Sequence, residues 1–343
     1  MSDLSCWEEL FLQGRLDELS AAAMDLTRTH FGDSVFLRGL LEYSNHCSSN
    51  CLYCGIRRDN SRVERYRLDD RMIYAAVDSG FSRGLRTFVL QGGEDPEFGT
   101  DRMCRIVREI KKRTGGMAAV TLSCGILSRE DYAALKSAGA DRYLLRFETS
   151  DPELHRNLRD GVSLERRLKA LDDLRNLGFQ TGSGFMVGLP GEDDELVLRN
   201  IRLARELELD MIGIGPFIPH PQTPLAESPQ VPLEKTLLAT AMLRITCPKA
   251  HIPATTAAGS LEPDGRERML RCGANVLMPN ISPVEVKPHY LLYPGKICLD
   301  EDGLHCIGCL AGRVALVGRK LDFDRADGRV IHERAGAKES ASV

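Results

Sequence analysis

Short apolar runs alternate with amphipathic segments along most of this chain, and this alternation restricts its possible folds more than any other feature. The amphipathic segments have helical spacing, and strands that alternate with helices favour βαβ units and a parallel sheet. Eight such runs favour a closed (β/α)₈ barrel of the α/β class over an open sheet. The runs cover residues 35–43, 87–90, 118–122, 143–146, 181–187, 211–217, 252–257 and 275–278.

The chain is long enough for one such barrel with additions at both ends. It has 343 residues, and a barrel of this type needs about 250. We predict an N-terminal helical extension over residues 1–33 with two short helices, and a barrel over residues 34–280. Residues 281–343 then form a C-terminal extension whose last residues are polar and frayed.

Composition excludes several classes of partner. The net charge is −4 with both signs interspersed, so the chain lacks the basic face of a nucleic-acid-binding protein. It has no apolar run long enough for a membrane span, and Met1-Ser2-Asp3 does not begin a signal peptide. We therefore expect a cytoplasmic protein, in which its 11 cysteines bind metal or remain reduced rather than form disulfides.

Three cysteines follow the first predicted strand with the spacing C-x₃-C-x₂-C: Cys47, Cys51 and Cys54. Iron–sulfur clusters are usually held by four thiolates, so three on a four-iron (4Fe-4S) cluster leave one iron open. S-adenosylmethionine (SAM) can chelate that iron through its amino and carboxylate groups. Zinc with His46 or His305 as a fourth ligand is the alternative, although zinc sites favour C-x₂-C pairs.

This spacing, with Tyr53 before the last cysteine, resembles the radical SAM superfamily, in which the aromatic residue packs near the adenine of SAM. The resemblance also gives a role to Gly92 and Gly93, because a turn of this type meets the amino group of SAM there. Glu148 could accept hydrogen bonds from the ribose, and Arg167 could pair with the SAM carboxylate. For both charged residues an ordinary salt bridge is the alternative.

Several longer segments resemble the HydE family of FeFe-hydrogenase maturases within that superfamily. They include Ile212-Gly-Ile-Gly-Pro-Phe-Ile-Pro-His-Pro221, Arg271-Cys-Gly-Ala-Asn-Val-Leu-Met-Pro-Asn280 and Tyr293-Pro-Gly-Lys-Ile-Cys298. The resemblance covers about residues 31–309 and implies a radical SAM enzyme that helps to assemble the hydrogenase H-cluster. Its implied substrate is a small iron complex carrying cysteine, carbon monoxide and cyanide, and its implied partners are an electron donor and other maturation proteins.

The same resemblance implies further site residues. Ser123 joins the residues that contact SAM, and a second set lines the barrel cavity around the substrate: Arg146, Met211, Thr255, Thr256, Met278, Tyr290 and Tyr293. Without the resemblance, Met211 and Met278 would be interpreted as core residues. The sequence departs from the family at Phe147, where relatives carry histidine, and this leaves room for a different substrate.

A second cysteine group, Cys298-x₇-Cys306-x₂-Cys309, matches a site present in some members of the family. Three thiolates again suggest an iron–sulfur cluster, either 2Fe-2S or 4Fe-4S. Zinc with His305, or thiols that bind nothing, are the alternatives.

Two other functions remain open. One is a radical SAM mutase acting on a small amino-acid-like substrate, as methylornithine synthase does. The other is a non-enzymatic iron–sulfur carrier, which would not cleave SAM on reduction. The completeness of the predicted SAM pocket argues against the carrier.

Overall fold

In the computed structural model, residues 4–300 and 306–328 are described, and they alternate between strands and helices. The strands are β1 Ser34–Leu37, β2 Gly39–Ser44, β3 Thr87–Gly92, β4 Ala119–Ser123, β5 Arg142–Leu144, β6 Gln180–Val187, β7 Met211–Pro216, β8 Val276–Leu277 and β9 Lys320–Asp322. The helices are α1 Ser5–Leu12, α2 Leu16–Phe31, α3 Asp70–Ser82, α4 Thr100–Arg113, α5 Arg129–Ser137, α6 Pro152–Leu158, α7 Leu164–Asn176, α8 Asp194–Glu206, α9 Leu233–Thr246, α10 Thr256–Leu261, α11 Gly265–Arg271 and α12 Cys306–Ala315, with a 3₁₀ helix at Val284–His289.

Strands β2 to β7 form one parallel sheet in sequence order. Isolated parallel bridges continue this sheet around the barrel: Met211 pairs with His251, Pro253 with Val276, and Asn280 with Leu40. The last bridge returns to β2 and closes the ring. The α/β barrel predicted from the alternation is therefore confirmed, with one wall held by bridges rather than by full strands.

Two of the eight predicted runs differ from the observed strands. Residues 35–43 divide at Arg38 into β1, which pairs with β8 and β9, and β2, which pairs with β3. Residues 252–257 make only the bridge at Pro253 before α10 begins at Thr256. Proline has no backbone N–H to donate to a ladder, which explains why no longer strand forms there.

Side-chain caps fix where several helices begin after their strands. Asp69, Ser128, Asp151, Ser163 and Asp193 each accept a hydrogen bond from the backbone N–H three residues later. Such caps satisfy backbone donors that a helix start leaves free. They hold the strand-to-helix loops, which carry the candidate site, in fixed positions.

Both predicted extensions pack on the barrel. The expected pair of N-terminal helices is present as α1 and α2, and both contact α9. At the other end β9 pairs with β1. The domain boundaries after residues 33 and 280 stay predictions. Within the described residues no helix is both long and apolar enough to cross a membrane.

Candidate functional site

The cysteine triplet lies in the loop that follows β2, and neighbouring polar side chains brace this loop. Arg58 Nη1 donates to Ser48 O at 3.0 Å, and Asn60 Nδ2 donates to Gly55 O at 2.6 Å. Arg65 donates to five carbonyls of the same region, those of Asn45, Ile56, Arg57, Arg58 and Asn60. Residues 57–65, which follow the triplet in sequence, therefore hold the shape of the loop.

Two of the three thiols accept hydrogen bonds. Glu94 N lies 3.4 Å from Cys47 Sγ, and Arg159 Nη1 lies 3.0 Å from Cys51 Sγ. Burial raises the pKa of all three thiols, Cys54 included, so their thiolates need positive charge close by, which bound iron supplies.

The three thiols of the loop are the kind of donor that an iron–sulfur cluster takes. Among the residues that the structure describes, no three His, Cys, Asp or Glu side chains converge as the ligands of one metal ion do. The thiolates around a 4Fe-4S cluster each bind a different iron atom and stand further apart.

A cavity of about 330 Å³ opens between this loop and the carboxyl ends of the barrel strands. It brings together the predicted site residues Cys47, Cys51, Tyr53, Cys54, Gly92, Gly93, Ser123, Arg146, Glu148, Arg167, Thr255, Thr256, Met278, Tyr290 and Tyr293. Met211 is not in this wall. It begins β7 at the opposite end of the strand, where Arg38 Nη1 lies 2.9 Å from its Sδ.

Gly92 ends β3 and Gly93 follows it, and a side chain at either position would clash with neighbouring atoms. A Cβ added to Gly93 would lie 2.1 Å from His46 O, and one added to Gly92 would lie 2.6 Å from the ring of Tyr43. These glycines let the turn approach the cysteine loop closely, which places the turn and the thiols in one wall of the cavity.

Three charged residues in the cavity have hydrogen-bonding atoms without partners. Arg146 Nη2 and Glu148 Oε2 lie 3.0 Å apart, at ion-pair distance. Both atoms are buried, and neither makes a hydrogen bond. Arg167 is buried with unpaired Nε and Nη1, and burial lowers its pKa. Glu148 has a φ of 65°, which is uncommon for a residue other than glycine and typical of functional sites.

These unpaired groups fit SAM. A ligand with a carboxylate and ribose hydroxyls would give hydrogen-bond partners to the Arg167 guanidinium and the Glu148 carboxylate in the same cavity. Buried polar atoms without hydrogen bonds cost stability, so such a set is expected where a polar ligand binds.

Two tyrosines of the C-terminal extension form another part of the wall. Tyr290 follows the 3₁₀ helix, and its hydroxyl accepts from Gln91 Nε2 at 3.4 Å. Lys296 Nζ donates to Tyr290 O at 3.0 Å and pairs with Glu42 Oε1 at 2.6 Å. The side chains of Lys296 and Glu42 are almost fully buried, at 8% and 2% exposure.

Four charged residues of this cavity received no role from the sequence: Glu42, Glu94, Arg159 and Lys296. Glu94 and Lys296 stand inside motifs that were recognised without a role for them. Glu42 lies within a strand, and Arg159 follows α6 in a polar segment whose sequence is typical of a solvated helix end. Only the fold shows that both side chains are buried.

The second cysteine group is only partly described. Cys298 has a φ of 62°, and Cys309 is exposed on α12. The side chain of Cys306 and all of His305 lie outside the described residues. A second cluster at this position stays a prediction.

Comparison with known proteins gives two kinds of similarity. The sequence profile of the radical SAM superfamily matches residues 41–218. The FeFe-hydrogenase maturase subunit HydE of Thermotoga maritima is 47% identical over 312 residues, which are 91% of this chain and 89% of that protein.

Methylornithine synthase is a more distant relative in sequence, and its structure shares the fold. The 3-methylornithine synthase of Methanosarcina acetivorans is 27% identical over 293 residues, 84% of this chain and 82% of that one. The crystal structure of methylornithine synthase (PylB) matches with a TM-score of 0.79 at 27% identity, covering 92% of this chain and 91% of the other. HydG, a maturase of the FeFe-hydrogenase, matches in fold with a TM-score of 0.77 at 19% identity, covering 91% of this chain and 70% of the other.

Proposed function

Since the chain belongs to the radical SAM superfamily and, within it, to the HydE family of FeFe-hydrogenase maturases, we propose that it cleaves SAM reductively and acts in assembly of the hydrogenase H-cluster. Its substrate in this proposal is a small iron complex carrying cysteine, carbon monoxide and cyanide. The protein works in the cytoplasm with an electron donor and with other maturation proteins.

The proposal assigns the cofactors to residues that share one wall of the cavity. Cys47, Cys51 and Cys54 hold the 4Fe-4S cluster, and SAM completes its open iron. When bound and reduced, the cluster and SAM supply a 5′-deoxyadenosyl radical. The residues that surround SAM are Tyr53, Gly92, Gly93, Ser123, Glu148 and Arg167.

The protein's own contribution is to hold two ligands in one cavity. Arg167 would pair with the SAM carboxylate and Glu148 would accept hydrogen bonds from its ribose, while the cysteine loop covers the triplet. On the other side of the cavity the substrate is held by Arg146, Thr255, Thr256, Met278, Tyr290 and Tyr293. Hydroxyl and guanidinium donors suit an anionic ligand, and the thioether of Met278 fills the apolar part.

The observation that carries the proposal is the continuity of this cavity. The same 330 Å³ space is lined by the three thiols and by Arg146, whose Nε and Nη2 make no hydrogen bond. A cofactor held at the thiols would therefore face a substrate bound at Arg146 across the same cavity, which would shield both from side reactions.

Hydrogenase maturation tests the proposal directly. An FeFe-hydrogenase is produced anaerobically with the other maturation factors, with and without this protein, and hydrogen evolution is measured. We expect activity to depend on the protein and to be lost with Cys51→Ala, whereas Cys6→Ala, at an exposed cysteine outside the cavity, retains it. Hydrogen evolution that is the same without the protein would refute the maturase role.

A mutase similar to methylornithine synthase is the second candidate, and the close structural match to PylB favours it. The reduced protein would then convert an amino-acid substrate rather than an iron complex. Incubation with lysine, SAM and dithionite, followed by mass spectrometry for methylornithine, distinguishes the two. Formation of that product without support of hydrogenase maturation would favour the mutase.

A further inference from the structure

Arg159 lies against the cysteine loop and has no role in the assignments above. Its Nη1 donates to Cys51 Sγ at 3.0 Å and to the hydroxyl oxygen of Tyr53 at 3.1 Å, and its Nη2 donates to Glu94 Oε1 at 3.0 Å. The residue is 8% exposed. The guanidinium thus connects a thiol of the triplet with the turn after β3.

Several contacts fix the position of this guanidinium. Arg159 N bonds His155 O at 3.0 Å at the end of α6, and Leu52 N bonds Leu158 O at 3.0 Å, which ties this segment to the cysteine loop. With its ends held by Glu94 and Tyr53, the planar fork cannot turn away from Cys51 without losing two further hydrogen bonds. A preorganised donor of this kind acts on its acceptor at little entropic cost.

The hydrogen bond from Arg159 to Cys51 matters because of the charge that a bound cluster would carry. A cluster held by three thiolates is anionic and becomes more so when it takes up an electron. Arginine keeps its positive charge in proteins and can only donate hydrogen bonds. A hydrogen bond to a ligand sulfur stabilises the reduced cluster more than the oxidised one, and such bonds are among the factors that set cluster potentials.

We propose that Arg159 is a positioning residue that raises the reduction potential of the cluster through its hydrogen bond to Cys51. The step concerned is the transfer of one electron to the cluster from an external low-potential reductant. Arg159 neither gains nor loses a proton in that step, and no bond to it is made or broken. The inference rests on the proposed function, because it requires the triplet to hold a cluster.

A purely structural role makes a different prediction. If Arg159 only supported the loop, its replacement would lower cluster content or stability and leave the potential of any loaded cluster unchanged. The potential of loaded protein therefore separates the two roles.

The experiment uses the full chain, reconstituted anaerobically with iron and sulfide, without SAM. The midpoint potential is measured by a dithionite titration followed by electron paramagnetic resonance, and iron and sulfide are quantified in the same samples. For Arg159→Met we expect a lower midpoint, with the ratio of reduced to oxidised cluster at the wild-type midpoint at least tenfold smaller. For a one-electron couple this corresponds to about 59 mV.

Arg156→Met is the matched control, because Arg156 is an exposed arginine on α6, the helix that ends just before Arg159, and should leave the midpoint unchanged. Fully loaded Arg159→Met with the wild-type midpoint would overturn the inference. If Arg159→Met fails to load, Tyr53→Phe removes one acceptor that orients the guanidinium. A smaller shift in the same direction supports the inference, and an unchanged midpoint overturns it. Failure of the cluster assignment looks different, since wild-type protein would then hold no cluster, and failure of the maturase role shows only in the hydrogen-evolution assay.

Discussion

The ring of Phe147 is packed in the hydrophobic core and not in the cavity wall. It is fully buried and stacks on Phe185, with ring centroids 5.8 Å apart and an interplanar angle of 27°. Its neighbours Arg146 and Glu148 do line the cavity. Phe147 in place of the histidine that the resemblance implies therefore affects core packing, and it gives little reason to expect a different substrate.

Phe147→His should destabilise the fold while SAM cleavage is retained. A buried imidazole without a hydrogen-bond partner costs about 1–3 kcal/mol, and part of the aromatic stacking is also lost. Urea unfolding measures the first effect, and 5′-deoxyadenosine formed per loaded cluster measures the second. A variant of wild-type stability with altered SAM cleavage would show instead that this position faces the cofactor.

Glu148→Gln should weaken SAM binding without disturbing the fold. The substitution keeps the shape and removes the carboxylate charge, so one charge-assisted hydrogen bond to the ligand becomes a neutral one. A loss of about 1.4 kcal/mol corresponds to a tenfold higher Kd. Titration calorimetry of cluster-loaded protein with SAM gives the Kd, and Glu153→Gln, at an exposed position of α6, is the control. An unchanged Kd would assign Glu148 to its ion pair with Arg146 alone.

At the scale of elements, the segment after the 3₁₀ helix is tied to the barrel by a buried ion pair. Lys296 bonds Glu42 on β2, and Asn280 Nδ2 donates to the other carboxylate oxygen at 2.8 Å. The same ammonium holds the carbonyl of Tyr290. Buried pairs of this kind contribute little net stability, yet breaking one by removing a single partner is costly.

Lys296→Met should therefore destabilise the protein by about 3–5 kcal/mol, because it leaves Glu42 buried and unpaired. The double variant Glu42→Gln with Lys296→Met should lose less, since no unpaired charge remains. Urea unfolding and hydrogen exchange resolved over residues 283–300 test both expectations. Lys235→Met removes a partner of the exposed Asp194 and is the control, with an expected cost of about 0–1 kcal/mol. Equal losses for single and double variants would contradict the argument.

Helix α12 carries two cysteines of the second group, Cys306 and Cys309. Neither Cys298 nor Cys309 lines the cavity around the first triplet. Cys306→Ala should therefore retain SAM cleavage, measured as 5′-deoxyadenosine after reduction with dithionite, whereas Cys51→Ala abolishes it. Loss of cleavage in Cys306→Ala at full content of the first cluster would show that the second group takes part in the reaction.

The barrel and most of the candidate site could be predicted from the sequence, because strand ends and cysteine spacing are local signals. Sequence reasoning could not predict that residues 252–257 contribute a bridge and a helix start, since the apolar run continues past Pro253. It also missed Glu42 and Arg159, whose partners stand 254 and 108 positions away in the chain. Burial of a charged side chain depends on such distant partners, and no local pattern encodes them.

At the scale of the whole molecule, the end of the described chain closes the barrel opposite the cavity. Arg142, fully buried at the start of β5, donates to Asp327 Oδ1 at 2.8 Å and to Arg325 O at 2.6 Å. Gln180 at the start of β6 also donates to Asp327 Oδ1, at 2.9 Å. Residues far apart in sequence thus form one polar network, which joins the C-terminal extension to the strands of the barrel.

This network makes Asp327 a source of stability that depends on pH. Partial burial raises the pKa of Asp327, but the hydrogen bond from Gln180 and the charge of Arg142 outweigh it and hold the pKa well below its usual value. A carboxyl group with a depressed folded-state pKa stabilises the fold above its unfolded pKa of about 3.9. That stabilisation is lost as the pH falls towards the folded-state value.

Asp327→Asn should then lower the free energy of unfolding by about 1.5–3 kcal/mol at pH 7, the range for hydrogen bonds to charged groups. The difference from wild type should shrink as the pH is lowered below about 4, because Asp327 is then protonated in the unfolded chain while the folded protein still holds it charged. Urea unfolding from pH 7 down to the acid limit of the fold measures this difference. Asp324→Asn, at an exposed position three residues earlier that makes no contact with Arg142, is the control. A difference that stays constant with pH would mean that Asp327 acts through packing, and that the extension is not held to the barrel by its charge.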